Sequence, residues 1–109
     1  MIYNLFFNLK DSTDEPEIIG LAAEFAELLK GQGDIDGYMI EKTTPNQSLP
    51  DLPEYHMAVY FKSKSAMDEA FQLIREKYMN IYQHAKLMSS VSEFKVTFSE
   101  IIKDSHSSH

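Results

Sequence analysis

One histidine stands among aromatic and amide side chains whose spacing suits proton chemistry. His56 lies in the run EYHMAVYFKS at 54–63, four residues before Tyr60, and the alternation of that run puts both side chains on one side of a strand. An imidazole titrates near neutrality, so in a partly dry cavity it can abstract or hold a proton. Asn4, Phe6 and Asn8, from IYNLFFNL at 2–9, share one side of another strand. Their amides and the Tyr60 hydroxyl are suited to stabilise a developing oxyanion on an enol-type substrate. Thr97 adds a hydroxyl from a late strand. The candidate site is therefore His56 as base, with Asn4, Phe6, Asn8, Tyr60 and Thr97 lining a ligand cavity. The same residues also read as amphipathic side chains at a subunit interface, with their polar tips satisfied across it.

Other reactive residues carry less. His84 sits beside the apolar stripe of a helix, where a metal or haem ligand is conceivable and a surface or core-edge histidine is the plainer reading. It has no HExxH, paired-histidine or facial His-carboxylate companion, so no metal site is expected. His106 and His109 fall in a serine-rich stretch that gives them no scaffold. Tyr78, Met79, Tyr82 and Met88 have the spacing of a helix packed on a sheet, which favours core over a cofactor wall. No serine occupies a G-x-S-x-G or S-x-x-K context, and Gly31-Gln32-Gly33 opens no phosphate-cradling helix. The absence of cysteine removes disulfides, thiolate nucleophiles and cysteine-ligated clusters. No cofactor is expected.

The elements that must position these residues follow from periodicity. Ile2–Leu9 alternates as a strand. Asp14 and Glu17 have capping-box spacing, with Pro16 in the first turn, and Ile18, Leu21, Ala22, Phe25, Leu28 and Leu29 form an amphipathic stripe ending at Gly31 and Gly33. Ile35–Thr44 reads as a more polar strand at an edge. PNQSLPDLP at 45–53 holds three of the four prolines and reads as a hairpin loop. Glu54–Ser63 is a third strand. Ser65 and Asp68 resemble a second capping box, opening a helix with a stripe from Met67 to Ala85 that kinks or restarts near Asn80. Glu93–Ile101 is a half-buried fourth strand, and residues 103–109 a disordered polar tail.

Two split β-α-β units with right-handed crossovers give a ferredoxin-like α+β domain over residues 1–102. Its four-stranded antiparallel sheet has the order 4-1-3-2, with both helices on one face. The other face would ordinarily be polar. Here it collects Ile2, Phe6, His56, Ala58 and Tyr60, with Tyr38 and Ile40 expected from the second strand. Such a patch is larger than monomers tolerate, and a two-fold contact lets it cover itself.

In element order, helix stripes and the two-sided apolar content of YNLFFNL and HMAVYF, the chain resembles the dimeric α+β-barrel superfamily over residues 2–101. The resemblance implies a homodimer with a cavity between sheet and helices or between sheets. It also implies a range of activities, from cofactor-independent monooxygenases and isomerases to purely binding proteins. The expectation is a homodimer that binds a small organic ligand in a sheet-lined cavity, with monooxygenase- or isomerase-like chemistry if it is an enzyme; the alternative is a non-catalytic regulatory or interaction module whose sheet face only forms the dimer. A net charge of -7 without a basic cluster disfavours nucleic acid. No apolar run is long enough for a membrane span and no secretory leader is recognisable, so a cytoplasmic location is expected.

Overall fold

The computed structural model describes residues 1–10, 14–43, 53–78 and 82–103. Eight elements follow one another: β1 (Ile2–Leu9), α1 (Glu15–Gly31), β2 (Gly37–Lys42), β3 (Tyr55–Tyr60), α2 (Lys64–Leu73), a π-helical turn (Ile74–Tyr78), α3 (Tyr82–Ser90) and β4 (Val91–Ser99). The strands form one antiparallel sheet in the order β2-β3-β1-β4, which places the two most apolar strands at its centre as expected.

Each helix begins where a side chain can satisfy its free amides. The Asp14 carboxylate accepts from the Glu17 amide at 3.3 Å, and Pro16 occupies the first turn. Gly33, at φ +82°, turns the chain back after α1 in a backbone region that other residues adopt at a cost. The N-cap of α2 is Ser63, whose hydroxyl accepts from the Ala66 amide at 3.1 Å, two residues before the serine expected to cap it.

The second helical region departs from regular α-helix earlier than the kink or restart expected near Asn80. After Leu73 the backbone widens into the π-helical turn, and α3 starts at Tyr82. The restart expected near Asn80 falls at 79–81, outside the described residues. So do nearly all of the proline-rich hairpin, at 44–52, and the tail from 104 onward.

The core lies between the sheet and the helices. Phe7, Tyr55, Met57 and Phe61 meet Ala22, Ala26, Leu29, Met67 and Ala70 there, all buried. The α1 stripe is rotated slightly from the expected one: Ala26 is 2 % exposed, whereas Leu28 is 36 % exposed. The line 18-22-26-29 runs straight along a helix and leaves position 28 on its flank.

Strand β2 presents the face opposite to the one expected. Gly37 pairs with Tyr60, Met39 with Ala58 and Glu41 with His56, so these three lie on the bare face. Tyr38 and Ile40 pack instead against the core. A one-residue shift in the assumed phase exchanges the two faces of a strand.

Candidate functional site

The six residues singled out in the sequence all lie on the bare face, and the sheet register decides which of them meet. Phe6 pairs directly with His56, and the rings stack with centroids 4.5 Å apart and planes at 8°. Glu41 opposes His56 from the other side, and its carboxylate lies 2.8 Å from Nδ1 of the imidazole. The other ring nitrogen, Nε2, lies 2.9 Å from Oδ1 of Asn4. The Asn4 amide in turn donates to the Ser99 hydroxyl at 2.8 Å. Glu41, His56, Asn4 and Ser99 thus form one hydrogen-bonded chain with a member from every strand.

This chain constrains what His56 can do. Both ring nitrogens are already engaged, so the imidazole can accept a proton from a guest only if one contact opens. Asn4 is 9 % exposed and is engaged at both its side-chain nitrogen and its side-chain oxygen. A buried amide satisfied at both ends fixes strand register more readily than it offers itself to a ligand.

Asn8 is likewise occupied. Its amide nitrogen donates to the Glu93 carboxylate at 2.8 Å, and its carbonyl accepts from the Glu54 backbone amide at 2.7 Å. It braces the entry of β3 against an irregularity in β4, where Phe6 pairs with Lys95 but Asn8 pairs with Ser92. Glu93 absorbs the extra residue at φ +51°. Tyr60 is half-buried over Gly37, where an added Cβ would stand 3.9 Å from the ring. Thr97 is exposed and pairs with Asn4.

The enclosed space lies on the other side of the sheet. A cavity of about 220 Å³ separates the sheet from the helices, and none of the six residues lines it. Its floor is Tyr3 and Leu5 of β1 with Met57 and Val59 of β3, and its roof includes Phe25 and the two alanines Ala22 and Ala26 of α1. Ala22 and Ala26, one turn apart on the buried face of α1, are too short to fill the space beside them. The π-helical turn contributes Ile74. The cavity opens between α3 and β4, where the lining residues Met88 and Phe94 are 46 % and 42 % exposed.

Among the described residues that line it, only Tyr3 and His84 have polar side chains. Tyr3 packs edge-on against Phe71 at 4.8 Å, and burial raises its hydroxyl above the ordinary tyrosine range, keeping it a neutral donor. His84 sets its ring against Phe25 at 5.5 Å, and its Nδ1 is shut off from solvent without a hydrogen-bond partner among the described residues. Its core-edge position matches the plainer of its two sequence readings, but the unsatisfied nitrogen was not foreseen. The visible signal for the cavity was the Ala22/Ala26 pair at helical spacing. Among the described residues no three histidine, cysteine or acidic side chains gather to hold a metal ion, and no helix is long and apolar enough to cross a membrane.

A family model described as a family of unknown function, DUF6614, matches residues 1–106. The chain belongs to DUF6614. No curated protein matches this DUF6614 sequence. Among solved structures it is similar to the Arabidopsis thaliana protein At3g17210. The crystal structure of that protein superposes with a TM-score of 0.72 at 17% identity, covering 95% of this chain and 97% of that one. Its solution structure gives 0.63 at 18%, covering 95% and 89%. A Bacteroides fragilis protein, described as dimeric, of unknown function and of ferredoxin-like fold, gives 0.50 at 12%, covering 88% and 90%. At these identities the likeness shows the fold, which is ferredoxin-like α+β.

Proposed function

We propose that the protein is a homodimer that binds a small, mainly apolar organic molecule between its sheet and its helices. The observation that carries this reading is the cavity of about 220 Å³, preformed and open at one end. The bare face supplies the dimer contact. Ile2, Phe6, Met39 and Tyr60 give it apolar area, the Glu41–His56–Asn4–Ser99 chain gives it a satisfied polar centre, and a protein of the same fold is described as dimeric.

Propylbenzene is the probe that tests ligand binding. Calorimetry is expected to show saturable uptake of one molecule per chain by the unaltered protein. Ala26→Leu, which grows into the cavity, is expected to abolish that uptake while keeping the thermal midpoint. Uptake unaffected by Ala26→Leu, or none by either protein, contradicts the reading.

A second reading has its own observation. The Glu41 carboxylate on Nδ1 of His56 is the arrangement that orients a catalytic imidazole. Cofactor-independent proton or oxygen chemistry at a dimer-enclosed face lined by Asn4, Phe6, Asn8, Tyr60 and Thr97 requires the Asn4 contact to open on binding. Turnover of any enolisable or phenolic compound that survives His56→Ala unchanged excludes it.

A further inference from the structure

The bare face of the sheet carries opposite charges at its two edges. One row across it runs Glu41, His56, Phe6, Lys95, from β2 at one edge to β4 at the other, because Glu41 pairs with His56, His56 with Phe6 and Phe6 with Lys95. The middle of the row is the stacked pair of rings. We infer that the second copy docks with its two-fold axis along the strands, between β1 and β3, so that Lys95 of each copy pairs with Glu41 of the other; this rests on the homodimer reading above and names the groups that set its orientation.

When two sheets lie face to face, a two-fold axis that relates them lies in the plane between them. An axis across the strands returns each strand to its own place, β2 over β2 and β4 over β4, and Glu41 never meets Lys95. An axis along the strands sets β2 over the partner's β4 and β3 over the partner's β1. Each row then meets itself reversed. Glu41 lies over the partner's Lys95, His56 over the partner's Phe6 and, in the row where Ile2 pairs with Tyr60, Tyr60 over the partner's Ile2. Symmetry makes each of these contacts twice.

Both charged side chains are placed for this contact. Glu41 meets Nδ1 of His56 through Oε1, its side chain is 54 % exposed, and a carboxylate keeps acceptor capacity after one bond. Lys95 is exposed, and its ammonium forms no ion pair among the described residues. In the rows through Ile2, Asn4 and Phe6, Glu41 is the one acid and Lys95 the one lysine or arginine. Packed sheets stand about 10 Å apart, a gap that a lysine and a glutamate extended towards each other can span. A net charge of -7 makes two copies repel on average, so a contact that sets opposite signs together at both edges favours this orientation over one that leaves them apart.

Sedimentation equilibrium of charge-exchange variants tests the arrangement. Lys95→Glu sets acid over acid at both edges and is expected to weaken the dimer about a hundredfold, whereas Lys95→Gln, which removes the pairs without placing like charges together, weakens it about tenfold or less. Glu41→Lys sets lysine over lysine and is expected to match the loss in Lys95→Glu. An equimolar mixture of Glu41→Lys and Lys95→Glu is expected to form a heterodimer as tight as the unaltered dimer, because each edge again holds one acid and one base. Glu41→Gln added to Lys95→Glu keeps a hydrogen-bonding group beside His56 and is expected to recover the Lys95→Gln affinity, which decides the matter where the lysine variant fails to fold. A dimer that is intact in Lys95→Glu, or is lost there and regained neither by mixing nor by adding Glu41→Gln, overturns the arrangement while the homodimer reading stands. A single-chain mass for the unaltered protein overturns the homodimer reading itself.

Discussion

Single residues here divide into those already satisfied by the fold and those that are not. His56, Asn4 and Asn8 looked reactive in the sequence because their types are reactive, yet the sheet has matched each of their polar atoms to a neighbour. His84 looked ordinary, and its Nδ1, like Oδ2 of Asp34, is left without a hydrogen-bond partner among the described residues. Residue type was legible in the sequence; hydrogen-bond occupancy was not, because it depends on cross-strand contacts between residues 15 to 95 positions apart. Tyr55 shows the energetic side of such contacts. Its hydroxyl donates to Glu15, and burial with that hydrogen bond raises it well above the tyrosine range, while the same bond and Lys42 lower Glu15. A raised tyrosine contributes stability below its ordinary value near 10.0 that is lost as pH rises towards the folded value, and a lowered glutamate contributes stability above the carboxylate range that is lost as pH falls through the folded value. Urea midpoints measured against pH are expected to drop at both extremes. In Tyr55→Phe both drops become shallower.

Among the elements, strand and helix existence followed from periodicity, and the errors lie in phase and continuity. β1 was read with its observed bounds because its alternation is strong and both its neighbours are strands. β2 was read one residue out of phase because GYMIEK carries an apolar residue on either face, at Met39 and Ile40, so pattern alone does not orient it. The π-helical turn at Ile74–Tyr78 left no mark in composition, since it inserts part of a turn without breaking the apolar stripe. The irregularity in β4 was also unforeseen. Glu93 holds a positive φ that glycine or asparagine would adopt more readily, and it pays part of that cost through the bond from Asn8. Glu93→Val, a β-branched residue at that φ, is expected to lower unfolding free energy by about 1–3 kcal/mol, read from a denaturant titration. Glu93→Asn is expected to be tolerated.

At the scale of the whole molecule the sheet separates two tasks. One face carries a band of apolar residues around a closed polar chain and suits contact with a second copy. The other carries the helices and the cavity. The sequence pointed to both a partner and a ligand but set them on the same face, because the bare face is where the unexplained aromatics were counted, whereas a void is a deficit of side-chain volume that composition does not display. If the bare face holds the dimer, light scattering at micromolar concentration returns twice the chain mass of 12.5 kDa. Phe6→Asp, which sets a charge beside His56 in the middle of that face, is then expected to return the single-chain mass with helix content unchanged.

The cavity itself is the claim on which the functional account turns, and xenon reports it most directly, since the gas enters dry apolar voids without needing a hydrogen bond. A crystal of the protein under xenon pressure is expected to show an ordered atom between Leu5 of the sheet and Ala22 and Ala26 of α1. Diffraction showing those side chains in contact and no xenon between sheet and helices contradicts it.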